Sequence, residues 1–363
     1  MAWAKPQYSR TEVNAAGDAL IAQSPKDVPL EKVFERLEEI HQALKIINNW
    51  RSSHSYPLHC LKMSLKSRAK RVSRDAIVAQ RIKRLPSIEA KLKRWNGMQL
   101  ARMHDIGGCR AIMRNVTQVN KLVRLYEDSR SKNPHRGAEF VRPYDYIVEP
   151  KDDGYRSIHL VYKYRSNSKK KQMYNGLRIE IQLRTQLQHA WATALETVSM
   201  FTGQALKSNV GDESWKRFFV LASTAIAIRE KQPPVPGAPI DNAALVQELR
   251  ELYNTLQVHT VLAGWGAAAQ QLTRAHGAHT YLLVLDTNSK NLQVTGFQER
   301  ELLKAAEAYL GAEKAALNKP HMQTVLVAVD TLAGLRRAYP NFFLDTAAFI
   351  DAVKQAIGDR GSA

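Results

Sequence analysis

Residues 176–195 read GLRIEIQLRTQLQHAWATAL. Taken as a strand, Arg178 to Thr185 has two unlike faces. Ile179, Ile181 and Leu183 point one way, and Glu180, Gln182 and Arg184 point the other. The period then turns helical, with Gln188, His189 and Trp191 near the start of the helix. A strand with one fully apolar face lies on a core. Its other face sets a carboxylate, an amide and a guanidinium in a row, which is either a reactive wall or the polar side of a half-exposed sheet.

On both sides of this stretch the pattern is α+β. CRAIMR, YDYIVEP and SIHLVYKYR read as further strands, with VTQVNKLVRLYEDSRSK as a helix between the first two. RSNSKKKQMYNGL reads as a lysine-rich hairpin tip, and QLQHAWATALETVSMFTG and DESWKRFFVLASTAIAIREK as helices. Near the N-terminus, Ser9 and Glu12 form a capping-box pattern that opens a helix, and Pro29 starts a second. The basic segment 61–95, LKMSLKSRAKRVSRDAIVAQRIKRLPSIEAKLKRW, reads as helical in pieces broken at Pro86. Together these elements predict a mixed sheet flanked by helices.

The Pro- and Gly-rich run KQPPVPGAPID, Lys231 to Asp241, marks a linker. We therefore divide the chain into residues 1–231, a linker at 232–241, and residues 242–363. The last part reads as a small α+β module. It has a helix at about 241–257, strands HTYLLVLD, NLQVTGF and QTVLVAVD, a helix ERELLKAAEAYLGAEKAALN and a terminal helix around LDTAAFIDAVKQAI.

The chain has 363 residues, room for two ordinary domains, and a net charge of +19. Residues 233–363 hold 11 Lys and Arg against 12 Asp and Glu, which leaves 42 against 22 in residues 1–232. A basic excess confined to one part favours polyphosphate or nucleic-acid partners for that part. Two cysteines, Cys60 and Cys109, make neither a disulfide framework nor a cysteine-rich zinc site. No apolar run is long enough to span a bilayer, and MAWAKPQYSRTEV lacks a secretory core. The expectation is a cytoplasmic protein with no membrane partner.

Four clusters of residues are candidates for chemistry, each with a structural alternative: a solvated basic face, a turn or cap aspartate, a turn tyrosine packed on its own hairpin, and the polar side of a half-exposed strand. RIKRLPSIEAKL supplies Arg81, Lys83, Ser87 and Lys91, a set of cations close enough to hold a chain of phosphates. DIGGCR places Asp105 before two glycines and Arg110; a carboxylate there can hold Mg²⁺, and glycine lets a ligand approach the backbone. PKDDGYRSIH puts Tyr155 at a loop tip beside Lys151, suited to stack a base while a cation holds phosphate. In the opening stretch, Glu180 is the natural second carboxylate, with Gln182, Arg184 and His189 beside it.

In this order the clusters resemble the synthetase domain of the RelA/SpoT family, over about residues 60–200. The matching residues are Arg81 and Lys83; Ser87 and Lys91; Asp105, Gly108 and Arg110; Lys151, Gly154, Tyr155, Ser157 and His159; and Glu180, Gln182 and Arg184 with His189 and Trp191. Asp153 stands where that family usually has Asn. The resemblance implies a nucleotidyltransferase-like fold and transfer of pyrophosphate from ATP to a nucleotide 3′-hydroxyl. It implies that Asp105 and Glu180 hold Mg²⁺ and serve catalysis, and that Arg81, Lys83, Ser87, Lys91 and Arg110 bind ATP. It also implies acceptor binding by Lys151, Tyr155, His159, Gln182, Arg184 and His189.

YSRTEVNAAGDAL at one end and RRAYPNFFLDTAAFIDAV at the other resemble CapRel-type fused toxin–antitoxins of antiphage defence. That resemblance implies a tRNA 3′ CCA end as acceptor. It also implies a C-terminal pseudo-zinc-finger module that restrains the synthetase, and a phage capsid protein that releases it. The group's inhibitory Tyr-x-x-Tyr stands here as Tyr339 to Phe342. The rival readings are a synthetase of (p)ppGpp from GDP or GTP, and an inactive RNA-binding regulator on the same fold.

Overall fold

The Ser9–Glu12 pattern forms its capping box: the Glu12 N–H donates to Ser9 Oγ at 3.2 Å and the Ser9 N–H to Glu12 Oε2 at 2.7 Å. It opens α1, Arg10–Ile21. The computed structural model describes residues 3–22, 29, 32–132, 138–201, 213–256, 258–259, 262, 280–286, 291–316, 319, 322–328 and 347–358. Two helices follow, α2 (Val33–Ser53) and α3 (Ser55–Val72), meeting at His54.

The basic segment 61–95 departs from the helical expectation. Ile77–Ile82 is a strand, β1, and Pro86 sits in the first turn of α4 (Leu85–Arg94) instead of breaking a helix. Pro lacks an N–H that the first turn would leave unbonded, so it starts α4 at little cost. Next come β2 (Gly107–Met113), α5 (Val116–Lys132) and β3 (Ala138–Asp145). The strand expected at YDYIVEP therefore lies earlier. Asp145 Oδ1 accepts the Ile147 and Val148 N–H groups at 3.0 and 3.2 Å, which turns the chain there. After β4 (Ile158–Tyr164), β5 (Arg178–Thr185), α6 (Gln186–Phe201), α7 (Glu213–Arg229) and α8 (Asn242–Thr255), the chain forms β6 (Thr280–Asp286), β7 (Asn291–Phe297), α9 (Leu302–Ala316), β8 (Met322–Ala328) and α10 (Ala347–Ala356).

Among the described residues, eight strands form one sheet in the order β3-β4-β5-β2-β1-β8-β6-β7. β2 and β5 are parallel, and the other neighbours are antiparallel. Ile179, Ile181 and Leu183 are wholly buried on one face, in a core with Leu58, Leu65, Val119 and Leu122 from α3 and α5. This face holds the sheet in place and leaves the other open for polar residues.

The sheet runs on across the Pro/Gly segment. β8 pairs with β1 through Gln80–Ala328 and Arg81–Val327. Helices from both sides also share a core, in which Phe218 and Phe219 of α7 meet Leu245 and Leu249 of α8 and Phe349 of α10. Val235 of the linker is itself buried, and the Pro233 carbonyl accepts from Arg156 at 2.6 Å. No helix among the described residues is long and apolar enough to cross a membrane.

His54 makes the fold sensitive to acid. It is buried, its Nδ1 lies 2.7 Å from the Trp50 carbonyl, and its ring meets Trp50 edge-on. Burial disfavours the imidazolium and pushes its pKa down to about 4. The unfolded chain takes up that proton near the usual value of about 6.5, whereas the folded chain waits until about 4. The stability tied to neutral His54 is thus full above about pH 6.5 and is lost as pH falls toward 4, on the order of 3 kcal/mol. Urea unfolding from pH 7 to 4.5 is expected to fall more steeply for the wild type than for His54→Gln. Parallel profiles would contradict this account.

Candidate active site

The polar face of β5 lies at the centre of the sheet, and strand register sets what stands beside it. Glu180 pairs with Gly108 of β2, and Gly108 pairs with Arg81 of β1. Gln182 pairs with Arg110 on one side and with His159 of β4 on the other. Paired residues share a face. Arg81, Asp105, Gly108, Cys109, Arg110, Glu180 and Gln182 accordingly line one cleft. At Gly108 a Cβ would meet nothing nearer than 3.9 Å, so the cleft floor is open beside the Glu180 backbone.

The β1 side is cationic around a single carboxylate. Asp105 Oδ2 receives Lys83 Nζ at 2.8 Å, and Oδ1 receives Lys91 Nζ at 2.9 Å. Burial alone would raise the Asp105 pKa, but the two ammonium groups outweigh it and hold the carboxyl well below its usual range. Lys83 is shifted downward by burial, which Asp105 partly offsets. Thus Lys83 and Lys91 neutralise Asp105 in this state. Ser87 stands in the first turn of α4, half-buried.

The β4 side is aromatic. Glu180 Oε1 lies 3.0 Å from His159 Nδ1, and Oε2 accepts from Gln182 Nε2 at 2.7 Å. His159 Nε2 in turn lies 2.9 Å from the Tyr155 hydroxyl. Burial would lower the His159 pKa, but the charges of Tyr155 and Glu180 and their hydrogen bonds raise it to about 9. Glu180 is held below its usual value; its burial is overcome by His159, against some opposition from Asp105. The result is a fixed chain from Tyr155 through His159 to an ionised Glu180. Lys151 Nζ lies 5.1 Å from the Tyr155 ring centre and 4.6 Å from that of Tyr146.

The loop that presents Tyr155 is built for that purpose. Gly154 has φ +87°, and a Cβ there would come within 2.9 Å of Ser223 Cβ and 3.1 Å of Trp191. Only glycine fits that conformation and that gap. Asp153 Oδ1 accepts the Tyr155 N–H at 2.9 Å. An Asn oxygen would make the same bond, so the acidic residue leaves the turn intact. Beneath the loop, Arg156 donates to Ser223 Oγ, the Ile147 carbonyl and the Pro233 carbonyl, and Ser157 Oγ to the Leu183 carbonyl.

Other residues singled out in the sequence are placed differently. Arg184 and His189 are both buried and face each other at 2.6 Å. Arg184 Nε is buried with no hydrogen-bond partner among the described residues. Trp191 is a core residue whose Nε1 donates to the Phe219 carbonyl at 2.8 Å. Tyr339 and Phe342 lie outside the described residues.

Two features of the site carry no sequence expectation. Tyr144 and Tyr146, part of YDYIVEP, stand beside Tyr155 and His159. Their alternation within the expected strand is the signal that could have found them. The other is a buried junction behind β1: Arg51 Nη1 donates to Glu313 Oε2 at 2.6 Å, Arg51 Nε to the Lys83 carbonyl at 3.0 Å, and the Leu85 N–H to Glu313 Oε1 at 3.1 Å. The Tyr309 hydroxyl donates to Glu313 Oε1 at 2.7 Å and is also bonded to Arg51. Arg51 and Glu313 are 262 positions apart in the chain, so no local pattern announces it.

Comparisons with known proteins find a family match on residues 80–201. That segment matches the family described as the region found in RelA / SpoT proteins. The GTP pyrophosphokinase YwaC of Bacillus subtilis (strain 168) is 31% identical over 119 residues, covering 31% of this chain and 52% of that protein. The chain therefore spans about half the length of that curated relative. Among solved structures, small alarmone synthetase 2 from Bacillus subtilis aligns at 22% identity with a TM-score of 0.40, over 49% of this chain and 90% of that one. Small alarmone synthetase 1 from the same organism, bound to its product pppGpp, aligns at 25% identity with a TM-score of 0.39, again over 49% and 90%.

Proposed function

We propose, from the RelA/SpoT region carried by residues 80–201, that the chain is an ATP-dependent pyrophosphotransferase acting on a nucleotide 3′-hydroxyl. The observation that carries this reading is the cleft itself. Two carboxylates, Asp105 and Glu180, share it, with cations on the β1 side and a stacking tyrosine on the β4 side. In the reaction, the 3′-oxygen bonds to the β-phosphorus of ATP, the bond from the bridging oxygen to that phosphorus breaks, and AMP leaves. Glu180, ionised and aimed by His159 and Gln182, is the base that takes the hydroxyl proton. Arg81 and Arg110 face the phosphates from the cleft wall, and Tyr155 stacks the acceptor base.

The donor set suits Mg²⁺, which takes one or two carboxylates and fills its shell with phosphate oxygens and water. Asp105 and Glu180 would hold the ion, which supplies charge neutralisation on the phosphates. Lys83 and Lys91 would then be freed from Asp105 to face the triphosphate.

For the acceptor we propose the 3′ CCA end of tRNA, so that the reaction blocks translation. The basic excess of residues 1–232 supports a polyanion over a mononucleotide. Residues 242–363 would act as the restraint, through Tyr339 and Phe342 at the ATP site, released when a phage capsid protein binds. The docking of β8 on β1, the strand that carries Arg81, supports a restraint at the donor side. The second reading is synthesis of (p)ppGpp from GDP or GTP, and it draws on the GTP pyrophosphokinase among the relatives. Both are tested by incubating the full chain and its Glu313→Ala form with γ-labelled ATP, with bulk tRNA in one tube and GDP plus GTP in another. Label on tRNA alone supports the first reading, and label on the guanine nucleotides alone supports the second. Absence of transfer by the full chain alone fits the restraint; absence also from a Glu313→Ala chain that thermal unfolding shows to be folded favours an inactive RNA-binding regulator.

A further inference from the structure

The acceptor side of the cleft extends beyond Tyr155. Across the sheet, Arg110, Gln182, His159 and Tyr144 are successive register partners on β2, β5, β4 and β3. They share one face, and β3 is the sheet edge, so the row opens outward past Tyr144. Tyr144 and Tyr146 lie with rings 11° from parallel and centres 5.7 Å apart. That gap is too narrow to admit a base between them, because a base needs about 3.4 Å on each side. The pair therefore acts as one stacked unit. Tyr146 also meets Tyr155 edge-on at 6.2 Å.

Between the two platforms stands a cation. Lys151 is exposed, and its Nζ lies near both the Tyr146 and the Tyr155 rings. Of the carboxylates around the loop, Asp145 Oδ1 accepts the Ile147 and Val148 N–H groups and Asp153 Oδ1 that of Tyr155, while Glu149 and Asp152 are exposed. Aromatic platform, cation, aromatic platform is the arrangement that one step of a single-stranded nucleic acid requires: base, phosphate, base. A mononucleotide with a 5′-phosphate uses the first two, and only a preceding nucleotide uses the third.

We propose that Tyr144 and Tyr146, with Lys151, form a second nucleotide subsite for the base and phosphate immediately 5′ of the acceptor nucleotide. The acceptor is then the 3′ end of an oligonucleotide. This rests on the reading that Tyr155 holds the acceptor base, and it adds residues which that reading leaves without a role.

The test is equilibrium titration of the full chain with the dinucleotide pCpA and with the mononucleotide pA, the donor site being filled by α,β-methylene-ATP. The wild type is expected to bind pCpA about tenfold more tightly than pA, the effect of one stacked base. Tyr144→Ala is expected to erase the preference while pA affinity stays within about twofold, and Tyr144→Phe is expected to keep it. Equal affinities in the wild type would overturn the proposal, whatever the variants do. So would a Tyr144→Ala chain that weakens both ligands alike. Transfer of label is measured separately. A chain that transfers nothing but prefers pCpA loses the reaction and keeps the subsite; a chain that transfers label without the preference loses the subsite alone.

Discussion

Glu180→Gln is expected to reduce pyrophosphate transfer by roughly a thousandfold or more, with the fold unchanged. Glu180 sits on the central strand β5, with both carboxylate oxygens already engaged, by His159 and by Gln182. Glutamine has the same shape and keeps the apolar face of β5 untouched, so the sheet has no reason to reorganise. What disappears is the charge. On the proposed function, with it go the base for the 3′-hydroxyl and one of two carboxylates for the metal, while His159 keeps Tyr155 but loses the second group that raises its pKa. A thousandfold loss corresponds to about 4 kcal/mol of barrier, within the range for removing one preorganised charge from a transition state. The measurement is transfer of label from γ-labelled ATP, with thermal unfolding as the control. Retained transfer in a folded variant would remove Glu180 from the chemistry and move attention to Asp105.

Glu313→Ala is expected to destabilise the chain by about 3 kcal/mol or more. Arg51 and Glu313 are 2% and 3% exposed at the side chain, so this is a buried pair and not a screened surface bridge. Removing the carboxylate leaves a buried guanidinium and the Leu85 N–H without their acceptor. Replacing both partners is a different matter. Arg51→Met with Glu313→Leu removes the charges together and is expected to recover most of the loss. Urea unfolding of Arg51→Met, Glu313→Leu and the double variant measures the coupling. Additive losses would mean that the pair does not hold α9 against α2. Because Arg51 also binds the Lys83 carbonyl, loosening this junction is expected to reach the donor side of the cleft.

Much of the fold is local and is legible in short stretches of sequence. The alternation in Arg178–Thr185 is a property of eight neighbouring residues, so the buried and polar faces of β5 follow from it directly. The same holds for α5, whose limits match the segment VTQVNKLVRLYEDSRSK, and for the capping box of α1. The clusters around Asp105, Tyr155 and Glu180 are legible as candidates because each is short and its residue types suit phosphate, base or metal. Two local patterns mislead for physical reasons. β1 carries Arg81 and lies between basic helices, and its hydrogen-bond partners come from β2 and β8, far away in the chain. In YDYIVEP the alternation suggests a strand, but the Asp145 side chain takes the backbone N–H groups that a strand would have paired.

The sequence by itself determined most of the strands and helices, which face of β5 is apolar, and which residue types are available for phosphate chemistry. Tertiary structure alone decided who stands next to whom. It placed β8 on the edge of β1, paired Arg51 with Glu313, turned Arg184 toward His189, and brought Tyr144 and Tyr146 up to Tyr155. The reason is that backbone ladders accept almost any side chain, and a buried ion pair needs only two charges at the right distance. Neither leaves a mark on the residues near it in the chain, so both are settled only when the whole sheet and its helices pack together.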